Sequence, residues 1–153
     1  MIYTSRYSNR ELANGDYYAV GISRGKPKFQ IDYHIYTQAY IFAPDRSMWN
    51  APKSSFRRMY RAKLDRIGTE KVRRILRSFE SAARGRDVVL LCFEDVRIEE
   101  DWCHRTMLAE WVEEKLGFKI KELYNPDPPK GKSKERRKDM GEQLMLFQDN
   151  RLL

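Results

Sequence analysis

The run DVVLLCF at residues 87–93 constrains the fold of this chain more than any other segment. A strand that is apolar along its whole length must be covered on both faces, as central strands of mainly parallel sheets are. The segments around it have helical spacing. Residues 54–67 place Phe56, Met59, Tyr60, Leu64 and Ile67 on one face and stop at Gly68. From Thr69 a second helix carries Val72, Ile75, Leu76, Phe79, Ala82 and Ala83 and ends at Gly85. After the apolar run, Asp101 is expected to cap a helix with Met107, Leu108, Trp111, Val112 and Leu116, closed by Gly117. Residues 118–123 then return as a strand. That order implies a right-handed crossover and a parallel pair.

The N-terminal part reads as extended structure. Residues 2–4 and 16–23 form strands bounded by Asn14-Gly15 and Gly25-Lys26-Pro27, residues 29–36 are extended, and residues 39–43 form a strand stopped by Pro44. The predicted class is α/β: a small layered domain with a mainly parallel sheet flanked by helices, followed by a flexible tail. Its expected organisation is a domain over residues 1–124, a basic linker over 125–142, and an interaction peptide over 143–153.

With 153 residues the chain has enough length to bury a core without disulfide staples. No apolar run is long enough to span a membrane, and the opening MIYTSRYSNRELANGDYY lacks the core of a secretory signal. A cytoplasmic protein with no membrane partner is the expectation. In that compartment Cys92 and Cys103 should both be reduced. No cofactor is indicated.

Charge is concentrated rather than spread. Residues 53–77 hold ten bases against Asp65 and Glu70, which accounts for the whole net charge of +8. Arg57, Arg58, Arg61, Arg73, Arg74 and Arg77 are the candidate contacts for nucleic acid or a nucleotide, since such a surface attracts phosphates by counterion release. A solvated helix face has the same composition. Tyr17, Tyr18, Tyr33, Tyr36 and Tyr40 lie in predicted strands, where core packing is a commoner role than base stacking, and His34 reads as a surface histidine.

The polar residues around the central strand suggest a site. Cys92 and Glu94 leave its carboxyl end, where ligands bind in parallel sheets, and Cys103, His104 and Arg105 begin the next helix, which returns to the same edge. Arg105 is the informative residue: a cation in a first helical turn opposes the macrodipole, so a negative group must offset it. Three arrangements fit. Arg105 and the helix N-terminus form an anion pocket with His104 titrating near neutrality; Cys103 is a nucleophile activated by His104; or Glu94 simply pairs with Arg105 while both cysteines fill the core. A metal is the weakest option, because Cys92, Cys103 and His104 supply only three soft ligands and two of them are adjacent.

Taken together, LLCFED at residues 90–95, Cys103-His104-Arg105 followed by LAEW at 108–111, and ISRGKP at 22–27 resemble the family called domain of unknown function 488. The resemblance spans roughly residues 1–124. It implies an α/β fold with these polar residues gathered at one site, Arg24 among them, and it implies no reaction. The basic helical pair and the tail depart from longer relatives.

In the tail, Gln143, Leu144, Leu146 and Phe147 match the Gln-Leu-x-Leu-Phe pattern by which bacterial replication and repair proteins bind the sliding clamp. Docking of Leu144, Leu146, Phe147, Leu152 and Leu153 onto the chain's own core is the competing expectation. The preferred functional expectation is a DNA-associated accessory protein. In it, Arg24, Cys92 and Arg105 hold a phosphate-bearing ligand near Glu94, Cys103 and His104, and the tail tethers the domain to the clamp. The alternatives are a hydrolase or transferase acting on a nucleotide or nucleic acid, with His104, Cys103 and Glu94 catalytic, and a non-catalytic interaction module.

Overall fold

The computed structural model describes residues 1–129. The strands are β1 (Ile2–Arg6), β2 (Tyr17–Gly21), β3 (Ile35–Gln38), β4 (Asp87–Cys92) and β5 (Lys121–Glu122). They form one sheet in the order β3-β2-β4-β1-β5, with every pairing parallel. The helices are α1 (Glu11–Asn14), α2 (Lys53–Ile67), α3 (Thr69–Ala83) and α4 (His104–Leu116).

The apolar run is the central strand. Residues 88–92 are all buried, and alternation sends Val88 and Leu90 to one core and Val89 and Leu91 to the other. The first core lies beneath α2, α3 and α4, where Tyr60, Leu64, Leu76, Leu108 and Trp111 meet the sheet. Tyr7, Leu12, Phe93 and Leu123 cover the opposite face, with Tyr3, Tyr17 and Tyr33 partly buried beside them. Among the described residues no helix is long and apolar enough to cross a membrane.

Gly68 alone separates α2 from α3. Its φ of 90° and ψ of 153° is a conformation side chains rarely adopt, so the turn depends on glycine. Gly117 closes α4 in the left-handed region, its N–H donating to the carbonyls of Val112 and Glu113.

Several expectations need correction. Residues 39–43 are not a strand: Tyr40–Phe42 form a 3-10 turn, because Phe42 enters the core and its carbonyl accepts the Tyr60 hydroxyl at 2.7 Å instead of joining a ladder. Of the extended stretch expected over 29–36, only its end joins β3. The final strand shortens to two residues. β4 and β5 are parallel but not adjacent, because β1 lies between them. At the junction of domain and linker, Asn9 donates to the Tyr124 carbonyl at 2.8 Å, Arg10 Nε to the Asp127 carboxylate at 2.9 Å and Arg97 Nη1 to the Asp127 carbonyl at 2.7 Å. The linker from residue 130 and the peptide containing Gln143, Leu144, Leu146 and Phe147 lie outside the described residues.

Candidate functional site

Because every strand points the same way, their carboxyl ends converge on one edge. The Ile22 N–H donates to the Leu91 carbonyl and the Tyr7 N–H to the Cys92 carbonyl, both at 2.9 Å, so the chain leaving β1 and β2 flanks the end of β4. Over this edge comes the N-terminus of α4. Its N-cap is Cys103, in extended conformation and with no side-chain capping bond, rather than Asp101. Asp101 instead accepts the Asp95 N–H at 2.7 Å, fixing the loop between β4 and α4. Arg6 and Arg97 brace the same loop through the Asp95 carboxylate, at 3.1 Å and 2.9 Å. Burial opposes ionisation of Asp95, yet the hydrogen bonds and charge of Arg97 and the charge of Arg6 outweigh it and hold the carboxyl below its usual value.

The expected convergence of thiols, imidazole, guanidinium and carboxylate is present. Cys92 and Cys103 are joined as a disulfide, whereas two reduced thiols were expected. The sequence leaves them eleven residues apart, and only the return of α4 to the end of β4 brings their sulfurs together. Both are buried. Glu94 Oε2 lies 3.6 Å from Cys92 Sγ.

His104 is also buried, and its Nε2 lies 2.6 Å from the Ile22 carbonyl oxygen. A carbonyl only accepts, so Nε2 carries the proton and the Nδ1 lone pair faces Cys103 Sγ at 3.5 Å. The expectation that His104 titrates near neutrality is overturned. Burial lowers its pKa to about 4, with the Arg105 and Lys63 charges acting in the same direction and the Ile22 bond against them. At neutral pH the ring is uncharged. Tyr60 packs edge-on against it, with centroids 5.5 Å apart.

Arg105 has no exposed surface. The negative group that offsets it is Glu122 of β5, not Glu94: Nε and Nη2 donate to the two carboxylate oxygens at 3.1 Å and 2.8 Å. Nη1 donates to Cys92 Sγ at 3.1 Å. Thr4 steadies the carboxylate with a bond of 2.8 Å. Glu122 is the member of this cluster that sequence reasoning missed; the signal for it was the unexplained cation in the first turn of a helix that leads directly to its strand.

Arg24 makes its polar contacts on the Pro44–Asp45 segment. It follows Ile22 closely, but its Nε donates to the Pro44 carbonyl at 3.3 Å and its Nη2 lies 3.7 Å from Asp45, which Lys63 also binds at 2.8 Å. The arginine face is partly neutralised. Arg57 pairs with Glu110 and Arg61 with Glu114, both across to α4, and Arg73 pairs with Glu70 within its own helix. Arg58, Arg74 and Arg77 are exposed. A cleft of about 390 Å³ lies near Arg77, Leu116 and Phe118, at the opposite end of the strands from the cysteines.

A model of the DUF488-N3a family, described as the active DUF488-N3 subclade, matches residues 2–116. The chain belongs to the DUF488 family. The matched stretch ends with α4, so the strand-end cysteine and the Cys-His-Arg of this DUF488 domain fall inside it while Glu122 falls beyond. No curated protein and no solved structure matches the chain.

Proposed function

We propose that this DUF488 domain is a thiol-dependent enzyme that works through Cys92 and Cys103 as thiolates. The observation that carries the reading is the donation from buried Arg105 to Cys92 Sγ at 3.1 Å. A guanidinium against a sulfur favours the thiolate, the form in which cysteine is a nucleophile or a metal ligand. Cys103 gains the same bias from its place at the start of a 13-residue helix. In the reduced protein, His104 Nδ1 is placed to accept the Cys103 thiol hydrogen. Arg105 is thereby a positioning residue rather than a free anion contact, since two of its nitrogens are held by Glu122. Glu94 places a carboxylate oxygen 3.6 Å from Cys92 Sγ.

The substrate class favoured by charge is a nucleotide or nucleic acid, drawn to exposed Arg58, Arg74 and Arg77. Turnover tests the proposal. The reduced chain is offered nucleotides and short oligonucleotides beside Cys92→Ser and Cys103→Ser. Product is expected from the wild type alone, and turnover that survives in both variants overturns the assignment. Thiolate absorbance of the reduced chain gives a second readout, with a midpoint expected below the ordinary value of about 8.5.

The same exposed arginines favour a second reading, a nucleic-acid-associated accessory domain in which the cluster is structural. A clamp-binding role for Gln143, Leu144, Leu146 and Phe147 adds a tether to either scheme and is supported by their sequence pattern.

A further inference from the structure

Two cysteines and a histidine with their ligating atoms within 4.8 Å of one another are a donor set as well as a redox pair. We propose that the reduced protein binds one soft divalent cation of the zinc class through Cys92 Sγ, Cys103 Sγ and His104 Nδ1, with Glu94 beside a fourth, open position. This deepens the thiol reading and rests on it, because both sulfurs must be available as thiolates.

Four observations carry the site. The first is spacing within the adjacent pair. His104 Nδ1 and Cys103 Sγ are 3.5 Å apart. Metal bonds of about 2.0 Å to nitrogen and about 2.3 Å to sulfur at a tetrahedral angle require an edge of about 3.5 Å. The adjacent pair therefore already stands at the spacing that one ion needs, which answers the main objection from sequence.

The second is the backbone. The Cα atoms of Cys92 and Cys103 stand 7.4 Å apart, beyond the span of about 4.4–6.8 Å usual for disulfides. Once reduced, the two sulfurs have room to separate by the roughly 3.7 Å that two thiolates on one tetrahedral ion need.

The third is the surroundings of the ligands. Metal-bound histidines donate their other ring N–H to a carbonyl or carboxylate, which fixes the tautomer. His104 does this to Ile22 at 2.6 Å. Arg105 supplies the matching bond to the Cys92 sulfur, with its own charge balanced by Glu122. The fourth is access. Glu94 is only partly buried and lies 3.6 Å from Cys92 Sγ, so a carboxylate with some solvent contact stands beside the buried sulfurs. Three protein ligands with an open fourth position are the pattern of catalytic zinc, which lowers the pKa of bound water.

The disulfide and the metal exclude each other, and the steps balance. A phosphine reductant breaks the S–S bond and takes oxygen from one water to become the phosphine oxide, while the water's two protons pass to the two sulfurs. Zinc then displaces both thiol protons as it binds.

The test uses the full chain, reduced with a phosphine in the absence of oxygen and freed of metal, then dialysed against zinc. The same chain kept oxidised is the control, so no variant has to fold. One zinc per reduced chain and none above background in the oxidised chain is expected. Cobalt in place of zinc should give a thiolate-to-metal charge-transfer band, lost on oxidation and lost in Cys92→Ser/Cys103→Ser where circular dichroism shows that variant folded. Equal zinc in reduced and oxidised chains, or none in either, overturns the proposal. Absence of zinc while the thiolate absorbance persists removes the metal and leaves the thiol reading standing; loss of the thiolate itself removes both.

Discussion

Arg105 and Glu122 form a two-pronged ion pair between the first turn of α4 and β5, with nitrogen-to-oxygen distances of 3.1 Å and 2.8 Å. The arginine is wholly buried and the glutamate side chain is one-third exposed, at 34%. Glu122→Ala leaves a guanidinium in the core with only a sulfur for partner. The expected loss is about 3 kcal/mol, the lower end of the range for breaking a buried pair because Glu122 keeps some solvent. Urea denaturation measures it. Replacing both partners, as Arg105→Met with Glu122→Leu, should recover most of that loss, since an apolar pair carries no desolvation cost.

Acid should weaken the oxidised, metal-free protein in a window set by His104. Its pKa is near 6.5 when unfolded and about 4 when folded. Between those values the unfolded chain binds a proton that the native chain does not, so stability is fully present above about pH 6.5 and falls as pH drops toward about 4. The shift corresponds to about 3 kcal/mol. His104→Gln should flatten this window in denaturant titrations, and an unchanged slope would show that the ring is not held neutral. Asp95 acts in the same sense at lower pH, because its carboxyl is held below its usual value and stability is lost on protonation.

The turn between α2 and α3 offers a purely conformational test. A Cβ at Gly68 would meet nothing within 4 Å, so Gly68→Ala introduces no clash. The residue's φ of 90° is nevertheless unfavourable for alanine. A destabilisation of about 1–3 kcal/mol is expected from backbone strain alone, read as a lower denaturation midpoint with unchanged m-value.

If nucleic acid is the partner, the arginines should divide by their pairing. Arg57 and Arg61 already face Glu110 and Glu114, whereas Arg74 and Arg77 are exposed. Binding to mixed-sequence DNA should weaken steeply between low and moderate salt. Arg74→Ala with Arg77→Ala should lower the salt slope by about 2, one for each phosphate contact removed. Arg57→Ala should change it less. Salt-insensitive binding, or equal effects from both sets, would remove this face from the interface.

Helix ends and sheet order differ sharply in how far they could be read from the residues. Gly68 and Gly117 stop their helices as expected, because a glycine's backbone freedom acts where it stands. Ala39 to Ala43 had strand composition yet became a 3-10 turn, because burial of Phe42 and the Tyr60 hydroxyl on its carbonyl outweighed local propensity. The insertion of β1 between β4 and β5 was not legible, since parallel ladders are built from backbone groups that every residue carries.

The candidate site divides in the same way. Local pattern by itself determined that the chain is α/β and that the apolar run beginning at Asp87 is a strand covered on both faces, and it led to the expectation that Cys92, Glu94, Cys103, His104 and Arg105 meet at its carboxyl edge. It also required a negative partner for Arg105. Only the tertiary structure decided that this partner is Glu122, that Arg24 pairs with Asp45, that His104 is neutral, and that the two sulfurs come within bonding distance. Secondary structure is encoded over a few neighbouring residues. A partner, a desolvation cost or a sulfur-to-sulfur distance depends on which distant segments the packed core brings together.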